Sequence, residues 1–214
     1  MFPLKDENPT EKHPIITISL IIINVAVFIY TFVYGNAEQI INQYAMVPKQ
    51  IVAMEELYTI LTSMFLHGNI IHIVSNMWFL WIFGDNIEDL YGKSQFLLIY
   101  FGSGVLASIA HTLFNPTSLM PTIGASGAVA GILGAYIVKY PRANVITLLF
   151  FILVKIPSFV FIGVWILSQV ISASITSITK MPVEIAYWAH IGGFVAGMIM
   201  AFLLEERVSR NREI

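Results

Sequence analysis

Long stretches without a charged side chain dominate this sequence of 214 residues. A transmembrane helix needs about 20 mostly apolar residues, and lipid tolerates charged side chains poorly. Only 11% of the residues are charged, against about 25% in soluble domains. The charge-free stretches lie between Lys12 and Glu38, Glu56 and Asp85, Lys93 and Lys139, Lys155 and Lys180, and Glu184 and Glu205. The predicted fold class is therefore an all-α polytopic membrane protein.

Six membrane spans follow from these stretches, because the third is 45 residues long and is interrupted by Asn115-Pro116 and Pro121. A turn at those residues divides it into two spans. Residues 143–154 are apolar but too short to span, so we interpret them as an interfacial lead-in to the fifth span. The predicted organisation is an N-terminal segment 1–14, a membrane domain 15–204 with spans at 15–34, 63–84, 94–114, 126–140, 157–178 and 185–204, and a C-terminal tail 205–214.

The distribution of Lys and Arg over the loops predicts the orientation of the spans. With six spans both termini share a side, and that side collects eight of the eleven basic residues. The other side has only Lys49 and Lys180, and Lys155 lies near a boundary. Both termini are therefore expected in the cytoplasm, so spans 2, 4 and 6 run from outside to inside. The first span lacks a following A-x-A site and is expected to be retained, and the lack of a presequence favours a plasma membrane.

Composition also argues against several classes of function. The formal net charge of −2 provides no basic surface, so a nucleic-acid partner is not expected. Because the chain has no cysteine, it has no disulfide, no thiolate nucleophile and no cysteine-ligated zinc. The lipid bilayer is the partner that composition predicts.

Polar side chains inside the predicted spans are the candidates for function, because each is costly in lipid. Span 2 contains His72 and Asn76, which are four residues apart and lie on one helix face. Ser126 begins span 4, and His190 lies about five residues into span 6. These side chains belong to the outer parts of three helices of like direction. We therefore expect them to share one cavity that opens to the outside.

Glycines predict that spans 4 and 6 pack closely. Gly127 with Gly131, and Gly193 with Gly197, each form a GxxxG pair, which lets two backbones approach in lipid. A direct hydrogen bond between Ser126 and His190 requires such packing, and we expect Oγ and Nε2 within about 4 Å. The residues expected to support helix packing are Gly124, Gly127, Gly131, Gly134, Gly193 and Gly197.

This arrangement predicts nucleophilic catalysis by a serine. A serine hydroxyl needs a neighbouring base to take its proton, and His190 can do so and later protonate a leaving amine. The oxyanion needs hydrogen-bond donors, for which the Ser126 N–H at a helix N-terminus and the Asn76 amide, with His72 beside it, are candidates. The acid nearest to His190 is Glu184, outside the spans, so a dyad is predicted rather than a triad.

Three segments carry a resemblance to a known family. They are TSMFLHGNIIHIVSNMW at 62–78, GASGAVAGILGAY at 124–136 and AHIGGFVAG at 189–197. In order and spacing they resemble the rhomboid intramembrane serine proteases in their basic six-helix form, over nearly the whole chain. The resemblance implies Ser126 as nucleophile, His190 as general base, and an oxyanion site from His72, Asn76 and the Ser126 amide. It also implies cleavage of the transmembrane segments of other proteins near the outer face, without cofactor or metal, with substrates entering past helices 5 and 2.

Two positions depart from the family pattern. A Trp-Arg pair is common in the loop after the first helix, where this chain has Tyr58-Thr59, so the seating of that loop on the membrane differs. Some members carry an aromatic residue four positions after the serine, packed under the histidine, where this chain has Ala130. The ring of His190 is therefore expected to be held by another group or more loosely, with a modestly altered rate.

Three alternative functions were weighed. A catalytically dead relative that acts as a membrane chaperone or degradation adaptor typically loses the serine or the histidine, and this chain keeps both. A small transporter is disfavoured because the spans carry no acidic residue for ion coupling and no inverted repeat. A zinc site from His67, His72 and His190 lacks helical ligand spacing, and the sequence has no HExxH motif.

Overall fold

The computed structural model describes residues 2–179 and 185–206, so Lys180, Glu184 and the tail from 207 onward lie outside the described residues. Helices make up most of that part of the chain, with short helical turns in the loop between the first two long helices. The helices are α1 (Ile15–Ile29, prolonged by a π-helical turn Tyr30–Tyr34), α2 (Ala37–Tyr44), α3 (Pro48–Val52), α4 (Thr59–Thr62, followed by a 3-10 turn Ser63–Phe65), α5 (Ile70–Phe114), α6 (Ser126–Lys139), α7 (Ser158–Thr179) and α8 (Tyr187–Leu203).

Three of these helices are long and apolar enough to cross a bilayer by length and composition. They are Ile15–Tyr34, α5 and α7, whereas α6 and α8 are shorter apolar helices. Gly92, with φ 75° and ψ 170°, interrupts α5 and divides it into a first arm 70–91 and a second arm 93–114. Each arm is about 33 Å long. The two arms occupy the region predicted to hold spans 2 and 3.

The first arm of α5 differs from the predicted span 2, 63–84, at both ends. The first arm begins only at Ile70, because the Asn69 side chain accepts a hydrogen bond from the His72 N–H and caps the helix. The arm continues past Asp85 because the buried Glu88 carboxylate is stabilised by hydrogen bonds. The carboxylate accepts from the backbone N–H groups of Ile16 (2.9 Å) and Thr17 (2.8 Å) at the start of α1. Helix N-termini carry partial positive charge, which makes this a favourable place for a buried carboxylate.

The described residues are mostly helical, as predicted, but the fold is not all-α, because the chain also forms a three-stranded antiparallel sheet in the order β1-β2-β3. Strand β1 (Phe2–Asp6) comes from the N-terminal segment, and β2 (Asn144–Leu149) and β3 (Ile152–Pro157) form a hairpin. The hairpin replaces the interfacial lead-in predicted at 143–154. A short apolar run of this length does not distinguish helix from strand, and pairing with the distant β1 decides the outcome.

Helix α6 lies at the centre of the bundle, between α5 and α8. All residues from Gly127 to Tyr136 are buried, although many of them are small. The Phe83 ring packs against its far end, with 4.9 Å between the ring centroids of Phe83 and Tyr136. The Phe161 ring in turn stacks on Phe83. This central helix presents its first residue, Ser126, to the neighbouring helices.

Candidate active site

Ser126 and His190 are in direct contact. Ser126 is the first residue of α6, directly after Ala125, and His190 lies in the first turn of α8. The His190 Nε2 atom is 2.8 Å from Ser126 Oγ, well inside the distance expected from the sequence. The serine hydroxyl therefore has a nitrogen acceptor in hydrogen-bond geometry.

Glycine packing between α6 and α8 makes this contact possible. A Cβ atom added to Gly197 would overlap the carbonyl oxygen of Gly131, and one added to Gly193 would overlap that of Gly127. A Cβ at Gly134 would likewise overlap the Phe194 carbonyl. The backbones of the two helices touch along this line, as glycine pairs allow in lipid.

Gly124 differs from the other glycines predicted to support helix packing. It precedes α6 and has φ +125°, a backbone conformation that favours glycine. An added Cβ there would lie 2.7 Å from His72 Nε2 and 3.7 Å from Ser126 Oγ. Gly124 therefore keeps the space between His72 and Ser126 open rather than joining two helices.

His72 directs a hydrogen-bond donor into that space. The Gly68 N–H points at His72 Nδ1 across 3.4 Å, so Nδ1 acts as an acceptor. In a neutral imidazole the other nitrogen then carries the proton. The Nε2–H of His72 thus faces Gly124 and Ser126.

Asn76, the other side chain predicted for the oxyanion site, is oriented differently. It is buried, with 6% of its surface exposed. Its Nδ2 donates to the His72 carbonyl of its own helix at 3.1 Å. The second hydrogen of the amide remains available for another acceptor. The structure places the His72 donor beside Gly124 and Ser126.

Gln169 of α7 contacts Nδ1 of His190, the ring nitrogen that faces away from Ser126. This contact was not predicted from the sequence. The Gln169 Oε1 atom lies 2.8 Å from His190 Nδ1. Its Nε2 donates to Ser168 Oγ at 3.0 Å and toward the Trp165 carbonyl at 3.4 Å. A flipped amide would place an oxygen against that carbonyl, so the neighbours select the orientation with Oε1 toward His190. Because a carbonyl oxygen only accepts, the proton of the neutral imidazole lies on Nδ1 and leaves Nε2 as the acceptor for Ser126.

Trp165 provides the aromatic neighbour that Ala130 does not. Its ring lies 5.9 Å from the His190 ring, with 31° between the planes. The departure at Ala130 predicts that another group holds His190, and the structure has two, Gln169 and Trp165, on successive turns of α7. The signal in the sequence is an intramembrane amide at 169, since an amide oxygen can orient a histidine as an acid does.

Substitution of Gly197 tests the helix contact. We expect Gly197→Ala to destabilise the protein by about 1–3 kcal/mol, because the added methyl group pushes α8 from the Gly131 carbonyl. Any activity that needs the Ser126–His190 contact should fall at least about tenfold, since displacements near 1 Å are costly. Thermal unfolding of the purified protein measures the stability. Gly163→Ala is the matched control, because nothing lies within 4 Å of its added Cβ. Equal melting temperatures for the two variants would contradict the packing argument.

Comparison with known proteins agrees with the geometry. Residues 54–207 match the Rhomboid domain family. The rhomboid protease GluP of Bacillus subtilis is 42% identical over 40% of this chain and 16% of its own length. The presenilin-associated rhomboid-like protein A, mitochondrial, of Danio rerio is 30% identical over 71% of this chain and 38% of its own length. Rhomboid protein 1, mitochondrial, of Saccharomyces cerevisiae is 26% identical over 91% of this chain and 55% of its own length.

These alignments cover between 16% and 55% of the relatives' lengths. The family match, in contrast, covers well over half of this chain and includes Ser126, His190 and Gln169. The chain belongs to the rhomboid family.

Proposed function

We propose that this chain is an intramembrane serine endopeptidase that hydrolyses peptide bonds in or near the transmembrane segments of other proteins. The observation that carries the proposal is the 2.8 Å contact between Ser126 Oγ and His190 Nε2 at the N-terminus of a buried helix. Membership of the rhomboid family, in which the relative from Bacillus subtilis is named a protease, supports it.

Acylation begins with the attack of Ser126 Oγ on the carbonyl carbon of the scissile bond. His190 Nε2 takes the hydroxyl proton as the Oγ–C bond forms. The resulting imidazolium keeps its Nδ1–H on Gln169 Oε1, 2.8 Å away. His190 then gives the Nε2 proton to the leaving amine, the C–N bond breaks, and an acyl-enzyme on Ser126 remains.

The negative charge of the tetrahedral intermediate is placed next to hydrogen-bond donors. The Ser126 N–H lies at a helix N-terminus, where backbone amides lack an intrahelical partner and the dipole favours an anion. The His72 Nε2–H faces the same space beside Gly124. Asn76 completes the set with the Nδ2 hydrogen that the His72 carbonyl does not use.

Deacylation reverses the roles of the same groups. Water enters where the amine has left, and His190 Nε2 takes one of its protons as the oxygen attacks the acyl carbon. Collapse of the second intermediate releases a carboxylic acid and returns the proton to Ser126 Oγ. Every proton is carried by His190, so the proposed reaction needs neither cofactor nor metal.

The proposed setting is a six-span bundle in which the arms of α5 count as two spans. The loop charges predict that both ends of this bundle reach the cytoplasmic face, from which β1 runs back along the first arm of α5, and that the site opens toward the outer face. The plasma membrane stays a prediction of the sequence, since the relatives above include a bacterial protein and two mitochondrial ones. The proposed partners are transmembrane protein substrates and the lipid bilayer.

A serine-reactive fluorophosphonate probe tests this proposal directly on purified protein. We expect the wild type to be labelled at Ser126, because Oγ displaces fluoride from phosphorus only when a base activates it. Ser126→Ala should give no labelling, and wild-type cleavage of a single-span test substrate should persist in a chelator. Labelling of another residue, or cleavage that a chelator abolishes, would refute a serine mechanism. A wild type that neither reacts nor cleaves would favour the adaptor alternative.

A further inference from the structure

The three-stranded sheet lies alongside the first arm of α5 rather than below its end. Trp78 Nε1 donates to the Pro3 carbonyl at 2.7 Å, and the Phe2 ring stacks on Trp78 at 5.6 Å. Trp78 precedes the end of the arm at residue 91 by about 20 Å of helix. At the other end of β1, Asn86 Nδ2 donates to Asp6 Oδ2 at 2.9 Å, about 7 Å before the arm ends. Strand β1 therefore runs parallel to the arm for about 12 Å.

The β2–β3 hairpin carries this sheet further toward the level of the active site. Leu148 pairs with Phe2, and the hairpin turn at Phe150 and Phe151 lies beyond that pair. The six residues 148–153 are all apolar, and the turn phenylalanines are 85% and 98% exposed. Exposure of two such rings to water would be costly, and the hydrocarbon layer accommodates them better.

The outer edge of β3 offers unpaired backbone groups from this apolar tip down to Lys155, whose ammonium pairs with Glu7 Oε1 at 2.6 Å. The Ser158 N–H donates to the Ala143 carbonyl at 2.8 Å, which makes residues 143 and 158 a hydrogen-bonded pair. Such pairs recur at every second residue of an antiparallel ladder, so Leu153 and Lys155 direct their N–H and C=O groups away from β2. Pro157, the next residue of that phase, has no N–H. No other strand of the described residues pairs with this edge.

A backbone edge that lacks partners is expensive in hydrocarbon, at several kcal/mol for each unpaired group. A transmembrane substrate has the complementary need. Its scissile carbonyl is bonded within its own helix until that helix unwinds locally, and unwinding frees N–H and C=O groups in the same layer. Strand addition at a sheet edge satisfies both sets of groups.

We propose that the outer edge of β3 binds an extended segment of the substrate polypeptide as a fourth strand of the sheet, an inference that rests on the function proposed above. Trp78 lies about 9 Å along the arm from His72. Leu148 and Leu153 lie at the level of Trp78, because Phe2 stacks on Trp78 and pairs with Leu148, which pairs with Leu153. At about 3.3 Å per residue, the paired segment begins no fewer than about three residues from the scissile bond.

Disulfide cross-linking tests this pairing, and the absence of native cysteine makes each introduced thiol unique. Leu153→Cys in a Ser126→Ala background is oxidised with a membrane-embedded substrate that carries one cysteine, scanned through ten successive positions. We expect cross-links at alternate substrate positions, because side chains alternate along a strand. Val154→Cys should cross-link to the interleaved set. Ile22→Cys, an exposed position on α1, is the negative control.

Three results would overturn the proposal. A three- to four-residue period would mean that a helical substrate passes the hairpin, and cross-linking of Leu153→Cys to a second copy would mean that the edge joins two protomers. The absence of any substrate cross-link to Leu153→Cys or Val154→Cys would mean that the β3 edge contacts only lipid. Each result can be read in the inactive background, so it is distinct from a failure of the wild type to cleave.

A backbone variant provides a second measurement in the active protein. Leu153→Pro removes the outward N–H and spares the bonds to β2, whereas Leu153→Ala shortens the side chain and keeps that N–H. We expect the proline variant to raise KM for a transmembrane substrate about fivefold, the value of one hydrogen bond, with less than about a twofold rise for alanine. Labelling by the small fluorophosphonate should be unchanged in both. Equal KM values for the two variants would refute pairing through this edge.

Discussion

Removing the Ser126 hydroxyl and removing the His190 ring are expected to cost the same, and removing both is expected to cost no more. The two side chains form one hydrogen-bonded unit, with Nε2 2.8 Å from Oγ, and in the proposed mechanism neither accelerates attack without the other. We expect Ser126→Ala and His190→Ala each to lower kcat for a transmembrane substrate by about 10⁴-fold or more. The double variant should fall within a few-fold of the single ones.

This comparison is made on initial cleavage rates at saturating substrate in detergent or liposomes. Ser174→Ala and His13→Ala are matched controls, because among the described residues Ser174 bonds only to the Val170 carbonyl of its own helix, and His13 lies before α1. Multiplicative losses in the double variant would mean that Ser126 and His190 act independently, which contradicts a catalytic dyad. Cleavage at the wild-type rate in both single variants would refute the proposed roles of Ser126 and His190.

The sequence predicts that Ser126 and His190 meet, because this contact needs only two polar side chains within spans and two helices that pack closely. Polar groups in lipid are few, and GxxxG pairs predict which helices approach closely enough for Ser126 to reach His190. The positions of α6, α7 and α8 likewise followed from charge-free stretches. These inferences rest on local properties of each segment, namely its hydropathy and its small residues.

The features that the sequence did not predict depend on contacts between distant residues. The hairpin at 144–157 forms where β1, from the opposite end of the chain, pairs with β2. The first arm of α5 extends past Asp85 because Glu88 finds backbone donors at the start of α1. The Asn76 orientation depends on side-chain torsion angles, which spacing along a helix does not determine.

Gln169 shows how such contacts alter the chemistry of a site. The interpretation of a bare dyad followed from the absence of acids within the spans, yet an amide oxygen performs part of an acid's task. It accepts the Nδ1–H of His190 and selects the reactive tautomer, while burying no second charge in lipid. The amide is itself held by Ser168 and the Trp165 carbonyl, so α7 positions the base.

Loss of this acceptor is expected to lower kcat by about 100-fold with little change in KM. In Gln169→Leu, Nδ1 faces an apolar side chain of similar size, so the imidazolium formed during attack loses its partner and the ring is free to adopt the unreactive tautomer. Because Gln169 acts through His190 and not on the bound substrate, the loss should appear in kcat. Steady-state cleavage of a single-span substrate, with fluorophosphonate labelling rates alongside, measures both effects.

Gln169→Glu separates an acceptor role from a packing role. Glutamate keeps an oxygen at the position of Oε1, 2.8 Å from Nδ1. The kcat of Gln169→Glu should therefore be at least about a tenth of the wild-type value, whereas that of Gln169→Leu should be about 100-fold lower than wild type. Ser174→Ala on the same helix is the control for loss of a polar group and should leave kcat unchanged. Equal losses of kcat in Gln169→Leu and Gln169→Glu, or full activity of Gln169→Leu, would mean that Gln169 does not hold His190 through hydrogen bonding. In that case α7 contributes only through contacts such as that of Trp165.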